Sequence, residues 1–169
     1  MFTTSEIARV TGGKLLGGDV TVTGVSTDTR TIEPGMLFVA IRGESFDGND
    51  YIGAAAEKGA AAAISDRAAG ADGYSIPVIL AEDSRAAQLA LAHYHREKFP
   101  LKLVGVTGSV GKTSTKDMVY AVLSAKFNTL KTEGNFNNDI GLPRTLFRLN
   151  ESYGAAVIEM GMSDLGEIS

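Results

Sequence analysis

The chain has 169 residues, 44% hydrophobic and 21% charged, with 16 Lys and Arg against 20 Asp and Glu and a formal net charge of −4. That balance belongs to a globular chain of one large or two small domains, and its mild acidity weighs against a protein whose main task is gripping nucleic acid or an anionic membrane. The absence of Cys excludes a disulfide scaffold, a thiolate metal site and a cysteine nucleophile, and fits a reducing compartment; no apolar run approaches the roughly 18 residues of a membrane span, and residues 1–10 lack the basic-then-apolar pattern of a secretory signal.

In chain order, Thr3 and Glu6 have capping-box spacing ahead of an apolar stripe at Ile7 and Val10, and Gly12-Gly13 closes a first helix. Alternation over residues 20–25 predicts one strand, residues 26–30 a polar segment, Pro34-Gly35 a turn, and residues 36–41 a buried strand. A Gly-containing loop over 42–49 leads to a helix over 50–58 that Gly59 ends. Strands follow at 60–64 and 76–80; the alanines over 54–63 read as close packing. A long helix, capped by Asp83 or Ser84, runs to about Lys98. His93 and His95 lie two apart on that helix and face different ways, so they read as surface or packing residues.

Phe99-Pro100 breaks the pattern and sets a domain boundary, with one unit over 1–98 and another over 99–169. The second unit predicts strands at 101–106, 127–130 and 155–160, with helices at 113–125 and 143–149 between them. This alternation makes the fold α/β with parallel strands. Three strands are few for a sheet, so the third is expected to pair on one side and leave Val157 and Ile158 poorly covered. With a helix expected to begin near Ser163 or Asp164, the chain is expected to be the front part of a longer protein.

The strongest motif is Gly105-Val106-Thr107-Gly108-Ser109-Val110-Gly111-Lys112-Thr113-Ser114, between a predicted strand and a predicted helix. Glycines let backbone N–H groups surround phosphate oxygens, and the helix N-terminus adds partial positive charge. Lys112 is placed to neutralise outer phosphates, and the Thr113 hydroxyl to ligate Mg²⁺. The loop is not that of common GTPases or kinases, because Val106 stands where their first glycine would be.

A Thr-Gly-Ser-x-Gly-Lys-Thr loop resembles that of the Mur ligases, the ATP-dependent amide-forming enzymes of bacterial cell-wall synthesis. The likeness extends to Gly134-Asn135-Phe136-Asn137-Asn138-Asp139-Ile140-Gly141-Leu142-Pro143, and to Val157-Ile158-Glu159-Met160-Gly161 followed by Gly166-Glu167-Ile168. In the first unit it includes Ser26-Thr27-Asp28-Thr29-Arg30, then residues 34–40, then Phe46-Asp47-Gly48. The resemblance implies a small N-terminal domain like those of the MurE and MurF branches, followed by an incomplete P-loop parallel-sheet domain. The Asn-Phe-Asn-Asn run favours the branch that adds D-alanyl-D-alanine to UDP-N-acetylmuramoyl-tripeptide over the branch that adds a diamino acid or lysine. It implies ATP and Mg²⁺ as cofactors, a cytoplasmic monomer, no nucleic acid or membrane insertion, and a fragment inactive by itself.

On that resemblance Thr107, Gly108, Ser109, Val110, Gly111, Lys112, Thr113 and Ser114 hold the ATP phosphates, with Lys112 and Glu159 catalytic and Thr113 and Glu159 on the metal. A carboxylate at the C-terminal edge of such a sheet faces a ligand crevice, although a strand-end Glu can also be merely exposed. The resemblance puts Asn135, Asn137 and Asn138 near the ATP phosphates; the same residues suit a plain turn. Ser26, Thr27, Asp28, Thr29 and Arg30 offer hydroxyls and a guanidinium to a uridine diphosphate, or form an ordinary turn with Asp28 paired to Arg30. Asp47 and Gly48 read as a turn that the resemblance places near the UDP sugar. A stand-alone UDP-sugar-binding module and a P-loop kinase or GTPase stay open as other readings.

Overall fold

The computed structural model describes residues 1–43 and 45–161, Asp72 by its backbone only. The expected helix near Ser163 and the Gly166-Glu167-Ile168 turn lie outside the described residues. The chain divides into two compact units, Met1–Leu91 and Ala92–Ser169.

The first unit opens with β1 (Phe2–Thr3) and α1 (Thr4–Thr11). Thr3 caps α1 by accepting from the Glu6 N–H at 3.1 Å, Glu6 returns the bond to the Thr3 N–H, and Gly12 ends the helix at φ +66°. β2 (Lys14–Leu16), β3 (Thr21–Val22), β4 (Val25–Ser26), β5 (Leu37–Val39), α2 (Ile52–Glu57), β6 (Ala62–Ser65), β7 (Val78–Leu80) and the start of α3 (Ser84–Glu97) follow. Five strands form one sheet in the order β2-β7-β6-β5-β4, parallel except for β2 against β7, and β1 pairs antiparallel with β3.

The single strand expected over 20–25 is two. Gly24 divides it: its carbonyl accepts from the Leu37 N–H at 2.9 Å, while Thr23 turns to the Gly35 carbonyl. β3 therefore goes to β1 and β4 to β5. Small side chains let α2 and the sheet close on each other: Ala55, Ala60 and Ala63 are buried with Phe38, Ala40, Ile52 and Val78 in one cluster. The Asp83 carboxylate, rather than Ser84, caps α3 through the Ala86 N–H at 2.8 Å.

In the second unit β8 (Lys102–Val106), α4 (Lys112–Ser124), β9 (Thr129–Lys131), α5 (Gly141–Leu146) and β10 (Ala155–Glu159) build a parallel sheet in the order β8-β10-β9. β10 is thus central and paired on both sides, contrary to the one-sided expectation, and Val157 and Ile158 are buried. It is β8, at the edge, that leaves Leu103 exposed. The C-terminal half of α3 belongs to this unit: His95 lies edge-on to Phe99, and its Nε2 is 3.0 Å from the Leu149 carbonyl. Compactness therefore breaks inside α3. Burial pushes the His95 pKa down, against the upward pull of Leu149, which makes it a packing residue, while His93 is exposed beside Glu97.

Two glycines of the first unit separate backbone crowding from open space. A Cβ on Gly48 would lie 2.5 Å from the Ile41 carbonyl oxygen and 2.6 Å from its nitrogen, whereas one on Gly53 in α2 would meet nothing within 4 Å. Gly48→Ala should destabilise the chain by at least about 2 kcal/mol, as overpacking against rigid neighbours does. Gly53→Ala should stabilise it by about 0.5–1 kcal/mol, the helix-interior preference for Ala. Urea unfolding of both variants checks the opposite signs.

Candidate phosphate and metal site

The site is assembled at the C-terminal edge of the β8-β10-β9 sheet. The chain leaves β8 after Val106, turns through an exposed loop over 107–111, and enters α4 at Lys112. Two residues in that loop have backbones that disfavour a side chain: Gly108 at φ +144° and Gly111 at φ +76°. Gly111 is the N-cap of α4 and supplies no side-chain acceptor. α1, by contrast, covers its first-turn donors with Thr3 and Glu6. An uncapped first turn presents N–H groups and partial positive charge to whatever anion sits there. Lys112 reaches back across the loop, its Nζ donating to the Gly108 carbonyl at 2.7 Å. Thr107, Ser109 and Ser114 are exposed, and Val110 is 87% exposed, so the loop's side chains are not consumed by packing.

Glu159 is the buried group of the site, 2% exposed at the end of the central strand. Its backbone N–H donates to Thr132 Oγ1 at 2.9 Å. Its Oε1 accepts from Asn137 Nδ2 at 3.0 Å and faces the Thr113 hydroxyl at 3.5 Å; its Oε2 is 3.2 Å from Lys116 Nζ. Burial pushes the carboxyl pKa up, but the Asn137 amide and the Lys116 ammonium outweigh it, so the group is held below its ordinary value. Glu159 is therefore a charged carboxylate facing the P-loop threonine. Hard oxygen donors of this kind suit Mg²⁺, and Oε2, buried without a hydrogen bond, has acceptor capacity left over.

The three asparagines separate. Asn137 touches Glu159; its carbonyl also accepts from the Gly161 N–H. Asn138 Oδ1 accepts from the Gly141 N–H at 2.9 Å at the start of α5, which is a local turn bond. Asn135 offers its carbonyl to the Asn137 N–H. Lys116, absent from the sequence expectations, is the residue that reasoning from motifs missed. Its signal was present as a Lys one helical turn after Lys112, but an exposed salt bridge explains such a Lys equally well.

In the first unit, Ser26, Asp28 and Arg30 are bonded among themselves. Ser26 Oγ takes the Asp28 N–H at 3.1 Å and lies 2.8 Å from Thr31 Oγ1. Asp28 caps the 3-10 turn Thr29–Thr31 through the Arg30 N–H and pairs with the Arg30 guanidinium at 2.7 Å. The Thr29 carbonyl accepts from Lys58 Nζ. Asp47 caps its own turn through Asn49, with Arg42 and Arg67 each 3.6 Å away, and Gly48 is set by contact with Ile41. These residues have the ordinary-turn arrangement, with Arg30 largely exposed.

Comparison with known proteins fits both units. The description "Mur ligase family, catalytic domain" matches residues 21–103, and "Mur ligase middle domain" matches residues 106–169. A UDP-N-acetylmuramoyl-tripeptide–D-alanyl-D-alanine ligase of Escherichia coli strain K12 is 45% identical over 99% of this chain and 36% of its own length. A crystal structure of MurF from Acinetobacter baumannii superposes with a TM-score of 0.88 at 34% identity, over 99% of this chain and 37% of that one. MurF from Thermotoga maritima in complex with ADP gives 0.78 at 34% identity, over 87% of this chain and 34% of that one. The chain belongs to the Mur ligase family. It spans about a third of the length of the relatives it matches.

The Asp28–Arg30 pair gives a pH prediction. The guanidinium and the Arg30 N–H hold the Asp28 carboxyl at about 2, below its ordinary 3.8. A lowered folded pKa stabilises above the unfolded value and loses that contribution as pH falls from about 4 toward 2. The pair is at the surface, so the contribution is small. NMR titration of the carboxyl should place the Asp28 midpoint near 2, and Arg30→Ala should move it up toward the ordinary value.

Proposed function

We propose that this chain carries the phosphate-binding and UDP-substrate-binding parts of an ATP-dependent ligase that joins D-alanyl-D-alanine to UDP-N-acetylmuramoyl-tripeptide. The observation that carries the reading is the union, at one sheet edge, of an uncapped α4 with Lys112, the Thr113 hydroxyl and the buried Glu159 carboxylate. The names of the relatives support the choice of substrates over a diamino acid or lysine acceptor.

In this reading the tripeptide carboxylate attacks the γ-phosphorus of ATP and ADP leaves, giving an acyl phosphate. The amine of D-alanyl-D-alanine then attacks the acyl carbon, loses a proton, and phosphate departs. The loop amides and Lys112 orient the phosphates and meet the charge that develops on them. Lys112 would leave its Gly108 bond for phosphate oxygen. Thr113 and Glu159 would hold Mg²⁺, which supplies charge neutralisation between the phosphates. Asn137 keeps the Glu159 carboxylate oriented. Ser26, Thr27, Asp28, Thr29, Arg30, Asp47 and Gly48 form the UDP side, where Arg30 exchanges Asp28 for phosphate. Catalysis is by positioning and electrostatics, with no covalent enzyme intermediate. The cytoplasm and a monomeric enzyme complete the reading, in keeping with a chain without Cys. Among the described residues no helix is long and apolar enough to cross a membrane.

Calorimetry tests this directly, with Mg·ADP and UDP-N-acetylmuramoyl-tripeptide titrated separately into the chain. Lys112→Ala should weaken the nucleotide by about 1.5–3 kcal/mol, roughly 10–150-fold, the worth of one charge-assisted contact. Its melting temperature should change little, since the Lys112 ammonium bonds to an exposed loop carbonyl, that of Gly108. Glu159→Gln should reduce the Mg²⁺-dependent part of nucleotide binding. Nucleotide binding that is equal in wild type and Lys112→Ala would overturn the assignment. Heat from the UDP compound with none from nucleotide would identify a UDP-sugar-binding module instead.

A further inference from the structure

Of the 13 residues of α4, Lys116 is the one that is buried, at 3% exposed. A helix lying on a sheet normally turns apolar residues inward and leaves Lys in water. Here Val119, Tyr120 and Leu123, on the same face as Lys116, are only half-buried, and the side chain taken fully inside is the lysine. Its Nζ is 3.2 Å from Glu159 Oε2, with both side chains almost fully excluded from solvent. Desolvating two charges is costly, and such a pair is weak as a device for stability alone. Its position gives it another use.

The carboxylate of Glu159 is divided between two partners. Oε1 is toward Asn137 and the Thr113 hydroxyl, whereas Oε2 has the Lys116 charge but no hydrogen bond. We propose that Lys116 is a resident counter-ion: a positioning residue that neutralises Glu159 from inside and keeps the site's affinity for a free divalent cation low until nucleotide phosphates bring further negative charge. This rests on the reading of Glu159 as the metal ligand. A divalent cation arriving alone meets a carboxylate whose charge is already balanced by a neighbouring ammonium, and like charges at close range repel, the more so where one of them is shielded from water. With the phosphates present, the surplus of negative charge accommodates both cations. Lys116 thereby couples metal binding to nucleotide binding.

The probe is Mn²⁺ alone, without nucleotide, followed by electron paramagnetic resonance or calorimetry on wild type, Lys116→Met, Lys116→Arg and the double variant Lys116→Met/Glu159→Gln. Lys116→Met should bind Mn²⁺ about tenfold more tightly than wild type, Lys116→Arg should bind as wild type does, and the double variant should lose the gain. In thermal melts, Lys116→Met should be the less stable protein in EDTA and the one that Mn²⁺ stabilises more. A merely structural lysine would move the EDTA melt and leave Mn²⁺ affinity unchanged. Equal or weaker Mn²⁺ binding by Lys116→Met overturns the counter-ion role and leaves the Glu159 reading standing. A gain that survives in the double variant places the metal elsewhere and overturns both. Should Lys116→Met fail to fold in EDTA, Mn²⁺ is titrated into the unfolded chain. Refolding at concentrations that wild type does not bind supports the proposal, and no refolding overturns it.

Discussion

The charge on Glu159 is the constraint around which the second unit is organised. A carboxylate removed from water must be met by donors or cations, or it protonates. Here a helix and a loop supply them: α4 sends Lys116 and the loop before α5 sends Asn137, while Thr132 after β9 fixes the backbone beneath the carboxylate by accepting the Glu159 N–H. For all three to arrive, the strand bearing Glu159 must lie between the other two, which is the order β8-β10-β9. The central position of β10 and the ionised state of its last residue are two aspects of one arrangement.

The same topology fixes both ends of the exposed loop over 107–111. β8 is held along its length by β10, from Lys102 against Ala155 to Val106 against Glu159. The last paired residue of β8 is thus beside the carboxylate, and the chain has five residues, 107–111, in which to reverse into α4. Glycines at φ +144° and +76° make that reversal without strain. Because Gly111 supplies no side-chain cap, the first turn of α4 remains polarised toward the loop, whereas α1 is closed off by its own capping box.

Where the sequence was legible, local chemistry and tertiary packing agreed. Thr3 with Glu6, the Gly-rich turn into α4 and the buried run around Phe38 each have one good local solution. Where it misled, a long-range partner decided. Residues 20–25 alternate like one strand, yet Gly24 and Thr23 are claimed by Leu37 and Gly35, and the strand divides. The two-residue β1 and three-residue β2 carry too little pattern to stand out; they exist because β3 and β7 pair with them. Val157 and Ile158 gave no hint that β10 would be central, since period-two apolarity does not encode strand order. Of the candidate site, the loop and Glu159 were visible as motif and position. Lys116 was not, because the sequence states that a lysine is present and leaves its partner unspecified.

The two ion pairs of interest differ in the one property that decides whether a ligand can replace them. Arg30 is 85% exposed beside Asp28, in water that already screens the attraction. A diphosphate that offers the guanidinium two oxygens would compete with a partner worth little, so an ordinary surface turn and an anion site are compatible states of the same residues. Lys116 and Glu159 cannot separate so cheaply, because each would be left charged in a dry interior. In the proposed role the first pair is therefore exchangeable and the second is permanent: Arg30 can change partners as substrate binds, while Lys116 stays and alters what the site will accept. Burial, more than charge or distance, assigns the two arrangements their different uses.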